Sequence, residues 1–177
     1  MLAIAYYVRT LHPQYALLTP ASYIDGILSF NCSGFVQFVM KYAGIDIQKF
    51  ESANEMYNSL KDNELWEQKR EITYNNKTLN MPLKTSQNNK DFYKTHGSTV
   101  INNLQKGDIL YFKTAMDYSE VTHIGIYVGD GMFIHSSGDS GVICTSLLDW
   151  LNGDENRDLM GYSRYINPKL SYEKDFS

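Results

Sequence analysis

One cysteine in this sequence stands where a nucleophile could be activated. Cys32 follows Asn31, and the apolar residues after it recur with the period of a helix. Asn31 is a good N-cap residue, so Cys32 is expected in the first turn of that helix. The partial positive charge and free N–H groups of a helix start favour a thiolate and can hold the oxyanion of a tetrahedral intermediate. A cysteine at such a place is often only a core or capping residue, so the thiol alone does not assign a function.

Two of the four histidines, His123 and His135, lie on the two strands of one predicted hairpin. A three-residue turn at 129–131 would place Gly125 opposite His135. Both imidazoles would then project from the same face as diagonal neighbours, about 7–8 Å apart at the backbone. A two-residue turn would instead put them on opposite faces. One imidazole could take a thiol proton and return it to a leaving amine, while a polar third group fixes its tautomer, so the pattern is typical of a cysteine hydrolase.

Residue types alone allow two alternative roles for the histidine pair. Histidines on the same face of a strand can simply form an exposed polar surface. Together with Cys32 they could also supply ligands to zinc, although the sequence has no close-spaced C-x-x-C or H-x-x-x-H pair. We therefore expect no metal and no cofactor.

The surrounding pattern predicts the α+β fold class. A helix that is apolar around most of its circumference should follow Cys32 and end near Gly44. The last third is predicted to form strands at 108–112, 123–128, 132–135 and 142–145, with glycine-rich turns between the last three. On the hairpin, the face that carries Ile124, Ile126, Val128 and Ile134 should point to the core. Leading helices followed by an antiparallel sheet are typical of α+β domains.

The length of 177 residues favours a single domain, 1–177, with an elaborated insertion at about 61–98. Within that insertion, the stretch 73–96 is rich in Asn, Lys, Thr and Ser, and it is expected to form a surface connection of little periodicity that could include a short hairpin.

Composition excludes several partners. The formal charge of −4 does not predict binding to nucleic acid or to anionic lipid. No stretch approaches the ~20 apolar residues of a membrane span, and no signal peptide is visible at the start of the sequence. The second cysteine, Cys144, lies in an apolar run and is expected to be a strand residue that acts as a small hydrophobe, with both cysteines as free thiols.

Three blocks of the sequence resemble the signatures of NlpC-type cell-wall peptidases. The block 31–36, N-C-S-G-F-V, resembles their D-C-S-G-F-V signature. The block 104–112, L-Q-K-G-D-I-L-Y-F, resembles their L-x-P-G-D-L-x-F-F strand. The block 122–135 resembles their H-V-G-I-Y-x-G-x-G-x-x-I-H hairpin. The order and spacing of the three blocks make the resemblance specific, and together they anchor residues 20–166.

The resemblance implies a papain-like fold with a central cysteine helix packed on an antiparallel sheet. It also implies hydrolysis of amide bonds in peptidoglycan stem peptides, usually the bond between D-γ-glutamate and a diamino acid, at the cell wall in the periplasm or outside the cell. By position, Cys32 matches the nucleophile, His123 the general base and His135 the residue that orients the base.

Three further residues are assigned to the oxyanion and substrate-binding region by the same resemblance. Tyr23, in the segment 23–26, matches a tyrosine that lies near the oxyanion site in the family. Asn31 stands where the family has an acidic residue near the substrate, and Ser33 follows the nucleophile.

Several departures from the family pattern leave the substrate open. Besides Asn31, the loop before Cys32 is short and lacks the usual second glycine, and the segment before Leu104 is longer than usual. These features suit a specialised branch such as an injected toxin or a phage lysin, for which an inhibitor or immunity protein would be a partner. Alternatives to hydrolysis are an acyltransferase or transamidase that uses the same thioester, and a non-catalytic module that binds cell-wall peptides.

Overall fold

A six-stranded sheet with helices on both faces is the centre of the computed structural model, which describes residues 1–17, 21–81, 87–114, 120–153 and 157–166. In chain order the helices are α1 (Leu2–Thr10), α2 (Cys32–Tyr42), α3 (Ala53–Lys61), α4 (Gln87–Asn103) and α5 (Leu147–Asn152). The strands are β1 (Gln14–Tyr15), β2 (Ala21–Ile24), β3 (Ile27–Phe30), β4 (Trp66–Lys69), β5 (Glu71–Tyr74), β6 (Lys77–Asn80), β7 (Ile109–Lys113), β8 (His123–Gly129), β9 (Met132–Ser137), β10 (Gly141–Ser146) and β11 (Asp158–Tyr165). None of the helices that these residues form is long and apolar enough to cross a membrane.

The central sheet has the strand order β10-β9-β8-β7-β11-β4, and every neighbouring pair is antiparallel. The four strands predicted in the last third correspond to β7, β8, β9 and β10. Two smaller sheets accompany it: β1-β3-β2, in which β1 and β3 run parallel, and the β5–β6 hairpin. The predicted α+β class is confirmed.

Side-chain alternation along β7, β8 and β9 divides the core between the two faces of the sheet. On one face, Ile124, Ile126 and Ile134 pack in a cluster with the apolar residues of α2. The residues that alternate with them on the sheet, such as Tyr127 and Phe133, pack in a second cluster with residues of α4 and α5. The predicted core side of the hairpin is therefore the side on which α2 lies.

Helix α2 is buried along most of its length, as its apolar sequence predicts. Phe35, Val36, Val39 and Met40 are fully buried. The chain leaves the helix through Gly44, which adopts φ +73°, a conformation that favours glycine. Because α2 is fixed against the sheet by this core, its first residue is held at a defined place relative to β8.

The segment 61–98 contributes regular structure to the sheet and to a hairpin. β4 pairs with β11 and becomes the sixth strand of the central sheet. β5 and β6 form a hairpin whose turn residues, Asn75 and Asn76, have φ values of 48° and 60°. Asparagine is among the residues that tolerate this left-handed conformation, which makes the two-residue turn possible.

The prediction of little periodicity over 73–96 is wrong for α4. Tyr93 and Val100 are buried in the second core cluster, and Gly97 faces the side chain of Leu148 so closely that a Cβ would lie 2.5 Å from it. These positions follow the i, i+4, i+7 pattern of a helix face. This buried helix face is difficult to recognise in the sequence for two reasons. It extends beyond residue 98, the predicted end of the insertion, and one of its members is a glycine. Residues 82–86, which belong to the same prediction, lie outside the described residues.

Candidate active site

Asn31 caps α2 and fixes the backbone around Cys32. Its Oδ1 accepts hydrogen bonds from the Gly34 backbone N–H at 2.7 Å and from the Ser33 hydroxyl at 3.2 Å. Its Nδ2 donates to the Leu17 carbonyl at 3.4 Å, which ties the preceding loop to the helix start. The predicted N-cap is confirmed, and the same bonds show that the Asn31 and Ser33 side chains are engaged in local structure.

The Cys32 thiol is buried at the start of α2, with 8% of the residue exposed. Burial raises the pKa of the Cys32 thiol, while the backbone N–H groups of Ile124, Ser33 and Cys32 itself lower it by a smaller amount. The expected depression of the thiol pKa by the helix start is therefore outweighed by desolvation. Since Ile124 directly follows His123, the thiol lies against the first residues of β8.

The two predicted histidines meet directly. His123 Nε2 and His135 Nδ1 are 2.8 Å apart, with the ring planes at 89° to each other. On its other side, His135 Nε2 lies 2.9 Å from the Thr145 hydroxyl. The three side chains thus form one hydrogen-bonded chain, of which His135 is the fully buried middle member.

This chain allows two proton arrangements. If His123 Nε2–H donates to His135 Nδ1, His135 Nε2–H donates to Thr145, and Nδ1 of His123 has a free lone pair that can accept a proton. In the reverse arrangement, the Thr145 hydroxyl donates to His135 Nε2, and His135 Nδ1–H donates to His123. Since a hydroxyl can donate or accept, Thr145 satisfies His135 in both arrangements.

The hairpin register that brings the histidines together differs from the predicted one at the turn. Ile126 pairs with Ile134 as predicted, but Gly129 pairs with Met132, so that the turn is Asp130-Gly131 and Val128 is an extra residue in β8. Asp-Gly is a preferred sequence for a two-residue turn with positive φ at both positions, and φ is 53° and 73° here. The bulge at Val128 restores the alternation that this turn alone would have reversed. The prediction that both imidazoles share a face is confirmed, and the predicted three-residue turn is wrong.

Gly125 leaves the space that the histidine pair needs. A Cβ at this position would lie 2.7 Å from the Phe133 ring and 3.1 Å from the His135 Cβ. Any larger residue would therefore displace the strand residues that hold His135.

Aromatic rings enclose the histidine pair. The Trp150 ring, on α5, lies 5.4 Å from the His123 ring and 4.8 Å from the His135 ring, measured between centroids. Phe133 stacks on His135 at 4.5 Å with an angle of 22° between the planes, and Phe112 lies 6.2 Å from His123. The two imidazoles consequently titrate in apolar surroundings.

These surroundings keep both imidazoles neutral at neutral pH. Burial, and secondarily the positive charge of Arg157, lower the pKa of His123 to about 4. Burial, His123 and Arg157 lower the pKa of His135 as well. A neutral His123 is able to accept a proton, but the imidazolium that forms is disfavoured in the free site.

Tyr15, rather than Tyr23, is the tyrosine that interacts with Cys32. Burial and the proximity of Cys32 raise the pKa of Tyr15, which lies on β1 beside the end of β3. Tyr23 lies on β2 and is 74% exposed. Tyr23 is assigned from its Y-x-x-G context. Tyr15 reaches the site through the parallel pairing of β1 with β3, and no comparable local pattern in the sequence indicates that pairing.

Cys144 is a free thiol, as is Cys32. It lies on β10, opposite Ile134, and is half-buried. Burial raises the pKa of Cys144, and a hydrogen bond and the charge of Arg9 act in the opposite direction. The prediction of a free strand cysteine is confirmed. Its neighbours include the cationic Arg9 as well as apolar side chains.

Besides Tyr15, sequence reasoning missed Thr145, Trp150 and Arg157. Thr145 ends the last predicted strand, and its approach to His135 depends on the β9–β10 register, in which Ile143 stands opposite His135. Trp150 and Arg157 come from α5 and from the residue before β11. No motif marks them, because they reach the histidines only through the packing of α5 on the sheet.

Fold and site together define a papain-like α+β domain. The chain belongs to the NlpC/P60 family, whose family model matches residues 19–151. This confirms the resemblance that the three sequence blocks indicate, and solved structures of the family share the fold. One of them, NlpC1 from Trichomonas vaginalis, has a TM-score of 0.53 and 22% identity, and the match covers 92% of this chain and 42% of that chain.

Curated relatives match a shorter part of the chain. Gamma-DL-glutamyl hydrolase of Bacillus subtilis (strain 168) is 42% identical over 57 residues, which are 32% of this chain and 14% of that protein. Murein DD-endopeptidase MepS/Murein LD-carboxypeptidase of Escherichia coli (strain K12) is 42% identical over 45 residues, 25% of this chain and 22% of that protein. The matched part of this chain thus spans less than a quarter of the length of either relative.

Proposed function

We propose that the chain is a cysteine peptidase that hydrolyses amide bonds in peptidoglycan stem peptides at the cell wall, with Cys32, His123 and His135 as its catalytic residues. The expected target is the bond between D-γ-glutamate and a diamino acid. Family membership supports a hydrolase of this kind, and the names of the relatives, a γ-DL-glutamyl hydrolase and a murein endopeptidase, support the substrate class.

The observation that carries the proposal is the 2.8 Å contact between His123 Nε2 and His135 Nδ1. It engages Nε2 of His123 and leaves Nδ1 as the nitrogen that can exchange a proton with a nucleophile. The Cys32 thiol lies against the backbone N–H of Ile124, the residue after His123, and we assign it as the nucleophile. An exposed polar face would not require two fully or nearly buried imidazoles bonded to each other.

The mechanism begins with transfer of the Cys32 proton to His123 Nδ1, while His135 holds the ring through Nε2. The sulfur attacks the amide carbon, and the oxyanion is stabilised by the N–H groups at the start of α2, those of Cys32 and Ser33. His123 then returns the proton to the leaving amine, which departs and leaves a thioester. Water, deprotonated by His123, hydrolyses the thioester and regenerates the thiol.

The burial of Cys32 and His123 has a consequence for the resting enzyme. Because desolvation disfavours both the thiolate and the imidazolium, the free enzyme holds Cys32 as a neutral thiol and His123 as a neutral imidazole. Proton transfer then accompanies attack on the bound substrate, rather than preceding it as in a stable ion pair.

Digestion of purified muropeptides, with products identified by mass spectrometry, tests the proposal. The wild-type protein should produce pairs of fragments that together gain the mass of one water. Cys32→Ala and His123→Ala should lose nearly all turnover, and Cys144→Ala, the matched control, should keep it. A rate for His123→Ala within about tenfold of wild type, equivalent to ~1.4 kcal/mol of barrier, would contradict the assignment of the base.

The same digestion separates hydrolysis from the two alternatives. Added primary amines should not compete with water for the acyl group; a dominant amide product would identify a transamidase. Binding of muropeptides that are recovered intact, with Cys32 unreactive, would identify a non-catalytic module.

A further inference from the structure

A groove runs along the face of α2 that is turned away from the central sheet. Its volume is about 620 Å³, which lies within the range of small-molecule sites. One wall includes Gly34, Phe38 and Tyr42, at the i, i+4, i+8 spacing of one helix face. The segment 44–49, which follows α2, forms the opposite wall, and Ala21 of β2 also lines the groove.

The groove begins beside the proposed nucleophile. Gly34 lies two residues after Cys32 in the first turn of α2, and Ala21 is paired with Phe30, two residues before Cys32. From Gly34 to Tyr42 the helix rises by about 12 Å. A substrate held at Cys32 can therefore extend into the groove with a part that lies away from the scissile amide.

Gln37 fixes the shape of the groove in the free protein. Its Oε1 accepts a hydrogen bond from the Phe50 N–H at 2.8 Å, and its Nε2 donates to the carbonyls of Phe50 at 2.8 Å and of Ser33 at 3.2 Å. These bonds tie the end of the segment 44–49 to the first half of α2. The two walls are consequently held together without a ligand, as is usual for binding sites that are formed in advance.

Aromatic rings form an apolar strip along the α2 wall. The ring centroids of Phe38 and Tyr42 are 4.5 Å apart, and Phe38 packs in turn on the buried Phe30 at 5.1 Å. Tyr42 is nevertheless 65% exposed. The C–H groups on one face of a pyranose ring are apolar, and they pack on the negative face of an aromatic ring. An exposed ring that is supported from behind can therefore stack on a sugar.

The charged side chains of the groove balance one another. Lys49 is paired with Glu51 at 2.8 Å. Among the residues that the structure describes, Lys41 and Asp46 have no ion-pair partner, and they carry opposite charges. A cationic ligand would meet Lys41 and an anionic one would meet Asp46, whereas a hydroxyl can donate to the carboxylate and accept from the ammonium. The lining therefore favours a neutral ligand with many hydroxyl groups.

We propose that this groove is a saccharide subsite, which binds the glycan to which a stem peptide is attached, so that glycan-linked stem peptides are preferred over free ones. This inference rests on the proposed function and specifies its substrate: the peptide is cleaved while it is still joined to its sugar. Stacking on Tyr42 and hydrogen bonds to Lys41 and Asp46 bind the sugar, and Cys32 attacks the amide beyond it.

Paired substrates test the inference through kcat/KM. One stem peptide should be supplied with and without the cell-wall disaccharide on its amino terminus. Wild type should prefer the glycan-linked form. Tyr42→Ala should reduce the ratio of the two kcat/KM values by about 2- to 12-fold, the range for loss of one aromatic stacking contact. Tyr42→Trp should retain the ratio because it keeps an aromatic ring.

The matched control is Tyr7→Ala. Tyr7, on α1, is 64% exposed, almost the same fraction as Tyr42, and it is not among the residues that line the groove. Its variant should have the same ratio as wild type. Equal rates of wild type on the two substrates overturn the inference. Equal losses on both substrates in Tyr42→Ala also overturn it, because the groove would then hold part of the peptide.

A second readout does not depend on peptide turnover. The disaccharide without a peptide should be titrated into Cys32→Ala protein, with binding followed by NMR. Adding Tyr42→Ala should weaken binding by about 2- to 12-fold, and adding Tyr7→Ala should not. Absence of binding at millimolar concentrations overturns the inference. Binding that depends on Tyr42, in a protein whose wild type cleaves neither substrate, would instead support the saccharide subsite and contradict the proposed function.

Discussion

His135 Nε2 lies 2.9 Å from the Thr145 hydroxyl, so the imidazole proposed to orient the base is itself held by a group that can donate or accept a proton. The chain of hydrogen bonds that starts at His123 therefore does not end at His135. It extends to β10, and its last member is a side chain whose hydrogen can rotate to suit either tautomer of His135.

Thr145→Val should therefore reduce kcat with little change in KM. Valine has nearly the shape of threonine but leaves His135 Nε2 without its partner, and an unsatisfied buried polar group costs about 1–3 kcal/mol. We expect a loss of about 5- to 150-fold, and Thr145→Ser should retain most of the activity because it keeps the hydroxyl. Steady-state kinetics at matched melting temperature provide the measurement. Equal activities of the Val and Ser variants would show that the hydroxyl is dispensable.

The reactivity of Cys32 should rise with pH beyond the ordinary range of a thiol. Burial raises the Cys32 pKa, so the free enzyme contains little thiolate near neutrality. The rate of labelling by iodoacetamide, followed by mass mapping in a Cys144→Ala background, should keep increasing above pH ~8.5. A rate that reaches its plateau near pH 6 would instead indicate a stable thiolate–imidazolium pair.

Stability should fall on acidification because the histidine pair is buried in its neutral form. The pKa of His123 is lowered from 6.5 to about 4. The unfolded chain thus binds a proton that the folded chain does not, so the stabilisation is complete above pH 6.5 and is lost as the pH falls from 6.5 through about 4. The difference corresponds to on the order of 3 kcal/mol. Urea unfolding at pH 7 and pH 4.5 measures it.

His123→Gln and Asp158→Asn are the informative variants for this pH dependence. His123→Gln removes one titrating group and should make the loss between pH 7 and 4.5 smaller. Burial raises the pKa of Asp158 from 3.8 to about 6, so its contribution has the opposite sign: it is complete below pH 3.8 and is lost as the pH rises through about 6. Asp158→Asn should therefore steepen the apparent loss on acidification. Identical pH profiles for wild type and His123→Gln would contradict this account.

Tyr15 and Tyr23 offer a matched comparison. Tyr15→Phe removes a hydroxyl from the surroundings of Cys32 and should lower kcat/KM about tenfold, equivalent to ~1.4 kcal/mol of barrier. Tyr23→Phe changes an exposed side chain and should leave the rate within about twofold of wild type. A larger effect at Tyr23 than at Tyr15 would support the role that the sequence motif suggests for Tyr23.

The parts of the fold that were predictable are those in which periodicity and chemistry agree. α2 combines a good N-cap, an apolar stripe and a terminal glycine, so both its position and its burial followed from the residues around Cys32. The alternation of Ile124, Ile126 and Ile134 identified the core face of the sheet. In each case local preference and tertiary packing favour the same structure.

The parts that were not predictable depend on contacts between distant segments. α4 has a buried face that includes Gly97. Gly97 suits this position because it allows the close approach of the Leu148 side chain, not because it is hydrophobic. Trp150 reaches His123 only because α5 packs on the second face of the sheet. The raised pKa of Cys32 could not be predicted for a related reason: the helix start is visible in the sequence, whereas the depth at which it is buried is not.

The extra residue at Val128 also limits how this hairpin can vary during evolution. His123 and His135 share a face here because the two-residue turn and the one-residue bulge occur together. A single insertion or deletion within one strand that no bulge absorbs would reverse the orientation of one imidazole, whereas a change of two residues, one on each strand, would conserve it. Natural homologues and designed variants should therefore tolerate a length change in one strand of this hairpin only where a bulge or a second change compensates it, a parity rule that the identity of the individual residues would not reveal.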